Sequence, residues 1–249
     1  MHTMKQLKKE FEYIAKKGYI KGIYNSYSAI GRTFEKELNL ERNEFCYPDY
    51  KDIEIKTRRS YSKSPITLFS AVPDGENLFE VKRLKNQYGY SYKKDKNYKV
   101  LYFEAYGDKM TYGGIKFQYK LDVDRKKQKI YLCIYDKQNK LIERKVYWSF
   151  EYLESKLMTK LQKLAIINAW DNKINCWNYF KYYQIKFYTI KNFDTFICLI
   201  SEGVIKLNFK VDIYKDINNY GKTYDHGCSF RIKESDITKL YNIVNIKEG

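Results

Sequence analysis

The sequence predicts a mixed α/β fold, a central sheet flanked by helices with a β-rich part appended. Three observations lead there. Apolar residues recur at helical spacing in several separate stretches, and elsewhere they alternate with polar residues at strand spacing. Between residues 98 and 150, short strand-like runs follow one another across turns, in the manner of an antiparallel meander. No internal repeat, Pro/Ser-rich linker or low-complexity tail interrupts the 249 residues, so composition marks no domain boundary.

Residues 3–17 read as an opening helix, with Leu7, Phe11 and Ile14 on one side and Gly18 to end it. The following GYIKGIYNSYSAIG is rich in Gly, Ser and Tyr, and reads either as a connector or as a loop able to touch phosphate. A short helix comes next, in which Ile30, Phe34 and Leu38 recur every four residues. Pro48 fixes one backbone angle and disfavours helix at Tyr47, so Asp49 enters a strand from an extended or turning segment. In that strand Ile53 and Ile55 alternate with Glu54 and Lys56, which puts the isoleucines on one face and the charged pair on the other.

A second apolar strand spans 66–69, Pro73-Asp74-Gly75 supplies a turn, and residues 76–87 form a helix through Leu78, Val81 and Leu84, closed by Gly89. The meander consists of runs at 100–104, 115–121, 129–135 and 141–148. Leu153, Leu157 and Leu161 set a helix at 151–162, and strand character returns at 164–170 and 179–188. Residues 193–201 read as a helix and 204–214 as a strand. The turn-rich DINNYGKTYDHG, a strand through Phe230 and Ile232, and a final helix from 234 to about 246 close the chain.

Lys and Arg number 47 against 30 Asp and Glu, a formal net charge of +17. Such an excess points to a polyanion, an anionic membrane or plain solubility. The basic residues are interleaved with 27 Tyr and 14 Phe through the whole chain, which resembles a nucleic-acid surface more than a detachable basic tail; drift toward Lys, Tyr, Asn and Ile is the alternative. Five cysteines (Cys46, Cys133, Cys176, Cys198, Cys228), widely spaced and without a Cys-x2-Cys pair, exclude a disulfide framework or zinc finger and read as reduced thiols. No stretch approaches the ~18 apolar residues of a membrane span, and the charged N-terminus has no signal-peptide core, so a soluble cytoplasmic protein is expected.

Asp49, Glu54 and Lys56 converge at one end of one strand, the last two about 6.6 Å apart along it. Two carboxylates can hold a hard divalent cation, and a nearby ammonium can orient or deprotonate an attacking water and stabilise charge on a phosphate. In a lysine-rich chain the same triplet also arises by chance, as a half-buried strand with a solvated charged face. Fourteen residues earlier Glu35 lies on the edge of the helical stripe beside Phe34, within reach of a site next to the core, or of a neighbouring lysine.

Taken together, GRTFE, PDY-x3-EIK, ITLF and DHG-x2-FRI resemble, in order and spacing, the MvaI/BcnI type of restriction endonuclease, itself related to the mismatch-repair nicking enzyme MutH. The resemblance runs from about residue 30 to 232 and is concentrated at the two ends. It implies a restriction-endonuclease-like core with a β-rich recognition lobe around a DNA cleft, a catalytic lobe including about 20–150 and a recognition lobe including about 160–249. It further implies Mg²⁺ (or Mn²⁺ in its place) on Asp49, Glu54 and the carbonyl of Ile55, with Lys56 as catalytic lysine and Glu35 in the same centre. On the DNA side it implies that Tyr224, Asp225 and His226 reach the middle of a short CC-x-GG-like site, while Arg231 reads a guanine edge or else contacts phosphate. Arg58, Arg59, Lys63 and Lys222 are read as phosphate contacts. The expected activity is that of a type II restriction endonuclease acting as a monomer on double-stranded DNA and leaving 5′-phosphate ends; a cognate DNA methyltransferase fits as partner, though no residue specifies it. The rivals are a MutH-like strand nickase and a DNA-binding protein without catalysis.

Overall fold

A computed structural model of the chain describes residues 1–40, 47–74 and 77–246. Cys46, Gly75 and Glu76 lie outside the described residues, as do the side chains of Leu78 and Asp225. In chain order the elements are helix α1 (His2–Lys16), strand β1 (Ile20–Lys21), α2 (Ala29–Glu37), β2 (Glu54–Arg59), β3 (Ile66–Ser70), α3 (Asn77–Tyr88), β4 (Tyr90–Tyr92), β5 (Asp95–Ala105), β6 (Thr111–Gly113) and β7 (Phe117–Asp124). They continue with β8 (Lys129–Tyr135), β9 (Leu141–Glu143), β10 (Tyr147–Ser149), α4 (Phe150–Lys160), β11 (Lys163–Ile174), β12 (Trp177–Ile190), α5 (Phe193–Ser201), β13 (Ile205–Ile213), β14 (Thr223–Ile232), α6 (Ile237–Leu240) and β15 (Tyr241–Val244). The mixed α/β class is as expected. The chain forms two compact units, each assembled from separated stretches: Met1–Ser64, Leu157–Lys191 and the segment from Thr238 on, and Pro65–Lys156 with Asn192–Ile237.

In the first unit the strand order is β1-β12-β11-β2, with β15 also paired to β12. β11 runs antiparallel to β12 and parallel to β2, so the sheet is mixed. Helix α1 packs on β12 and α2 on β2. The helical spacing explains the packing: Leu7, Phe11 and Ile14 line the buried side of α1, Ile30 and Phe34 that of α2, and they meet Ile53 and Ile55 in one core. Each such side chain contributes about 1.5–3 kcal/mol by leaving water, which fixes α2 over the strand that carries the acidic pair.

The second unit holds two sheets, β3-β14-β13-β5-β4 and β10-β8-β7-β6 with β9 on β8. The expected meander is present from β6 to β10, but β5, expected as its first strand, pairs instead with β13. Its Phe103 ring is the reason: it stacks on Tyr119 of β7 at 3.7 Å and on Phe209 of β13 at 4.7 Å, so β5 ties the two sheets through aromatic faces.

Two expectations need correction. The helix from 234 to about 246 is only a 3-10 turn (Glu234–Asp236) and the four residues of α6, after which Tyr241–Val244 lie along β12 as β15. Its apolar spacing fits a helix, but the edge of β12 offers hydrogen bonds, and the aromatic and β-branched residues there favour a strand. The DHG segment, expected as a turn, lies within β14. Phe209 pairs with Cys228 and Val211 with Asp225, so His226 and Gly227 stand opposite Lys210 alone. This is a β-bulge, and Gly227, at φ +88°, supplies the left-handed conformation that it needs.

Candidate active site and nucleic-acid interface

The approach to β2 is a tight reversal. Tyr50 and Ile53 exchange backbone hydrogen bonds of 3.0 and 2.8 Å, with Lys51 at φ +54° between them. The buried Tyr50 ring anchors the reversal, its hydroxyl donating to Glu10 at 2.9 Å. Asp49 is thereby laid beside the start of the strand, where its Oδ2 accepts from the Ile55 N–H at 3.0 Å.

Glu54 and Lys56 do share a face, but that face is not solvated. Glu54 is 1% exposed, at the start of β2 opposite Leu164 of β11. Lys56 Nζ donates to Glu54 Oε1 at 2.5 Å. Glu54 Oε2 is buried without a hydrogen bond, with Lys160 Nζ 3.5 Å away. Burial pushes the Glu54 carboxyl above its ordinary range and Asp49 adds to this, while Lys56 and Lys160 pull it down. Leaving such an oxygen unsatisfied costs about 1–3 kcal/mol, which a cation would recover. Among the described residues no group of three or more His, Cys, Asp or Glu side chains forms a closed metal site. The fitting set is an open one: two carboxylates and the Ile55 carbonyl, all hard oxygen donors.

Glu35 sits on α2, whose Gly31 lies against β2: an added Cβ there would meet Thr57 Oγ1 at 3.1 Å and Glu35 Oε1 at 3.7 Å. Its carboxylate is paired with Arg32 one turn earlier. The described contacts bring it to the strand but not onto Asp49 or Glu54.

Arg58 and Arg59 end β2 and are buried, at 8% and 6% exposure. Arg58 donates to the carbonyls of Ser62 and Ser64, at 2.9 and 2.8 Å. Arg59 binds Asp171 at 3.0 Å and the Tyr27 carbonyl at 2.9 Å, with its guanidinium 4.2 Å from the Tyr27 ring. Both guanidiniums hold the loops around the strand end. Lys63 and Lys222 are exposed, the latter donating to Asn219 at 3.0 Å.

In the second unit Tyr224, His226 and Arg231 lie on β14. His226 packs its ring against Tyr224 at 4.3 Å, and its Nε2 is 3.7 Å from Asp212 of β13. Burial and the charge of Lys210 lower the His226 pKa against the pull of Asp212. Asp212 itself is buried; that burial opposes ionisation, but bonds from Tyr102, the Ile213 N–H and Lys215 hold its pKa at about 2. Arg231 Nε donates to Ser229 at 3.0 Å and its side chain is half-buried.

Lys160 and Asp212 were not visible as site residues in the sequence. Lys160 is the last residue of a helix more than a hundred positions from Glu54, and no local signal joins the two, because the burial of Glu54 that calls for a second positive neighbour is not legible in the sequence.

Comparison with known proteins adds the following. The model of the MvaI/BcnI restriction endonuclease family matches residues 8–241. The restriction endonuclease MvaI in complex with its cognate DNA substrate is similar at a TM-score of 0.89 and 29% identity, over 98% of each chain. MvaI in the absence of DNA is similar at a TM-score of 0.63 and 27% identity, over 98% of this chain and 97% of that one. No curated protein matches. No helix among the described residues is long and apolar enough to cross a membrane.

Proposed function

Because the chain belongs to the MvaI/BcnI restriction endonuclease family and is accordingly a type II site-specific deoxyribonuclease, we propose that its hydrolysis of double-stranded DNA is Mg²⁺-dependent and centred on Asp49, Glu54 and Lys56. One observation carries this reading: the buried Glu54 carboxylate has one oxygen on Lys56 and the other without a hydrogen bond, in the field of Asp49. Asp49, Glu54 and the Ile55 carbonyl would hold the ion, for which Mn²⁺ can substitute. When bound, it supplies Lewis-acid stabilisation of the phosphate and a more acidic water.

Lys56 orients the attacking water and offsets the charge that builds on the phosphate oxygens. Water adds to phosphorus in line as the bond to the 3′ oxygen breaks, leaving 5′-phosphate and 3′-hydroxyl ends. Glu35 acts from α2 in the same centre, after exchanging Arg32 for water or a second ion. The first unit is then the catalytic lobe and the second the reading lobe, with bounds that differ from the 20–150 and 160–249 that the resemblance implied. In the reading lobe Arg231 pairs with a guanine through O6 and N7, and Tyr224, Asp225 and His226, at and before the bulge, meet the middle of a short CC-x-GG-like site; Lys222 there and Lys63 in the first unit contact phosphates. The enzyme acts as a monomer in the cytoplasm, where a methyltransferase of the same specificity would protect host DNA.

Digestion of a DNA of known sequence with Mg²⁺, followed by sequencing of the ends, tests this reading. Ends bearing 5′-phosphate at one recurring short sequence are expected. Ends at random positions, or equal cutting in EDTA, would overturn it.

A further inference from the structure

Toward its turn the hairpin of β11 and β12 presents an exposed sheet face, whereas Leu164, Ile166 and Asn168 further along the same face of β11 are buried. Its strands are joined by Asn175 and Cys176, both at positive φ (47° and 65°), the pattern of a tight two-residue turn. Asn25 holds that turn by donating to the Cys176 carbonyl at 2.6 Å. One face of the hairpin is core, with Phe180 and Tyr182 fully buried. The other carries Trp170, Ile174, Trp177 and Tyr183 at 36–45% exposure.

Two of the three tryptophans in the chain are on this face, and the third, Trp148, is completely buried. Trp170 and Tyr183 are stacked at 4.2 Å and 14°, forming one flat aromatic surface. Tyr183 is the extra residue of a β-bulge, since Asn168 pairs with Gln184 and Ala169 with Tyr182, and the bulge turns its ring onto Trp170. Each tryptophan has a lysine against it: Lys181 lies 5.6 Å from the Trp170 ring and Lys21 of β1 lies 4.2 Å from the Trp177 ring. The nearest carboxylate in sequence, Asp171, points to the other face, where Arg59 and Tyr61 bind it.

Exposed rings with cations, and no acid among the hairpin residues of that face, suit a ligand that is both flat and anionic. In duplex DNA the base faces are already stacked, so a ring surface this flat has nothing there to cover. Unpaired nucleotides offer both a free π-face and a phosphate.

We propose that this hairpin face is a binding site for single-stranded DNA, with bases stacking on Trp170, Trp177 and Tyr183 and phosphates on Lys21 and Lys181. By strand register Trp170 lies on the sheet face that carries Glu54 and Lys56, further along β11 toward the turn, and the proposal does not depend on the assignment of those two residues as the cleavage centre. In the enzyme's own reaction it would hold a strand that has frayed from a nick or an end.

The test is a titration of the full chain with oligo(dT) in EDTA, read by intrinsic tryptophan fluorescence and by sedimentation. Because Trp148 is buried, quenching reports on Trp170 and Trp177. Quenching should saturate, and the double substitution Trp170→Ala with Trp177→Ala should weaken oligo(dT) binding, read by anisotropy of a labelled strand, about tenfold or more. Affinity for a noncognate duplex should stay unchanged. Trp170→Phe, which keeps a ring, should retain most of the binding. No quenching, equal loss for single strand and duplex, or a protein dimer that the double substitution dissociates would each overturn the proposal.

Discussion

The ammonium of Lys160, at the end of α4, lies 3.5 Å from the buried Oε2 of Glu54, on the oxygen that Lys56 does not hold. The carboxylate that begins β2 is therefore flanked by two lysines, one from its own strand and one from a helix far along the chain.

That relationship predicts a pH shift. Lys160 pulls the Glu54 pKa down against the effect of burial, so Lys160→Ala should let it rise further. The carboxylate must be ionised to hold a cation. The acidic limb of the cleavage-rate profile should therefore move to higher pH in the variant, with the rate recovering toward wild type at alkaline pH. An unmoved limb with a uniformly lower rate would assign Lys160 to DNA contact instead.

Arg59 and Lys63 should separate stability from binding. Removing Arg59 leaves Asp171 without its buried partner, so Arg59→Ala should cost about 3 kcal/mol, measured as a lowered denaturation midpoint. Lys63→Ala should leave the midpoint in place and reduce the slope of log affinity on log salt by about 1. A stable Arg59→Ala protein with a weakened salt slope would return that arginine to the phosphate backbone.

Much of the fold was legible because periodicity and burial agreed. Leu7, Phe11 and Ile14, like Ile30 and Phe34, are buried where helical spacing put them, and α5 begins and ends at the expected residues. The misreadings arose where long-range pairing decided. Nothing local in residues 234–246 says that the edge of β12 is open, nor does the run of residues 223–227 disclose that β13 pairs through a bulge. For the site, the order Asp49, Glu54, Lys56 was readable, but the burial of Glu54 was not, since alternation gives a face without saying what covers it. The crossings of the chain between its two units leave no trace in composition for the same reason: each is a change of neighbours, not of residue type.

Arg231 should differ from the lysines. If it reads a guanine, Arg231→Ala should reduce discrimination against a substitution at one base pair by about 1–3 kcal/mol, measured by competition between cognate and singly altered duplexes. Equal weakening of all sequences would make it a phosphate contact.

One catalytic centre per chain implies sequential cutting. A plasmid with a single site should pass through a nicked circle when enzyme is limiting, and the protein should sediment as a monomer with and without DNA. Direct conversion to linear DNA by a sedimenting dimer would contradict this.

The account rests most directly on the carboxylates of β2 and its approach, and one measurement reaches them. Asp49→Ala and Glu54→Ala, each shown to be folded, should bind cognate duplex in Ca²⁺ at least as tightly as the parent, because a negative charge facing phosphate has gone, and neither should cut the single-site plasmid in Mg²⁺. Lys56→Ala should bind alike and lose rate by about 10²-fold or more. Substantial Mg²⁺-dependent cleavage by either carboxylate variant would contradict the assignment of the centre.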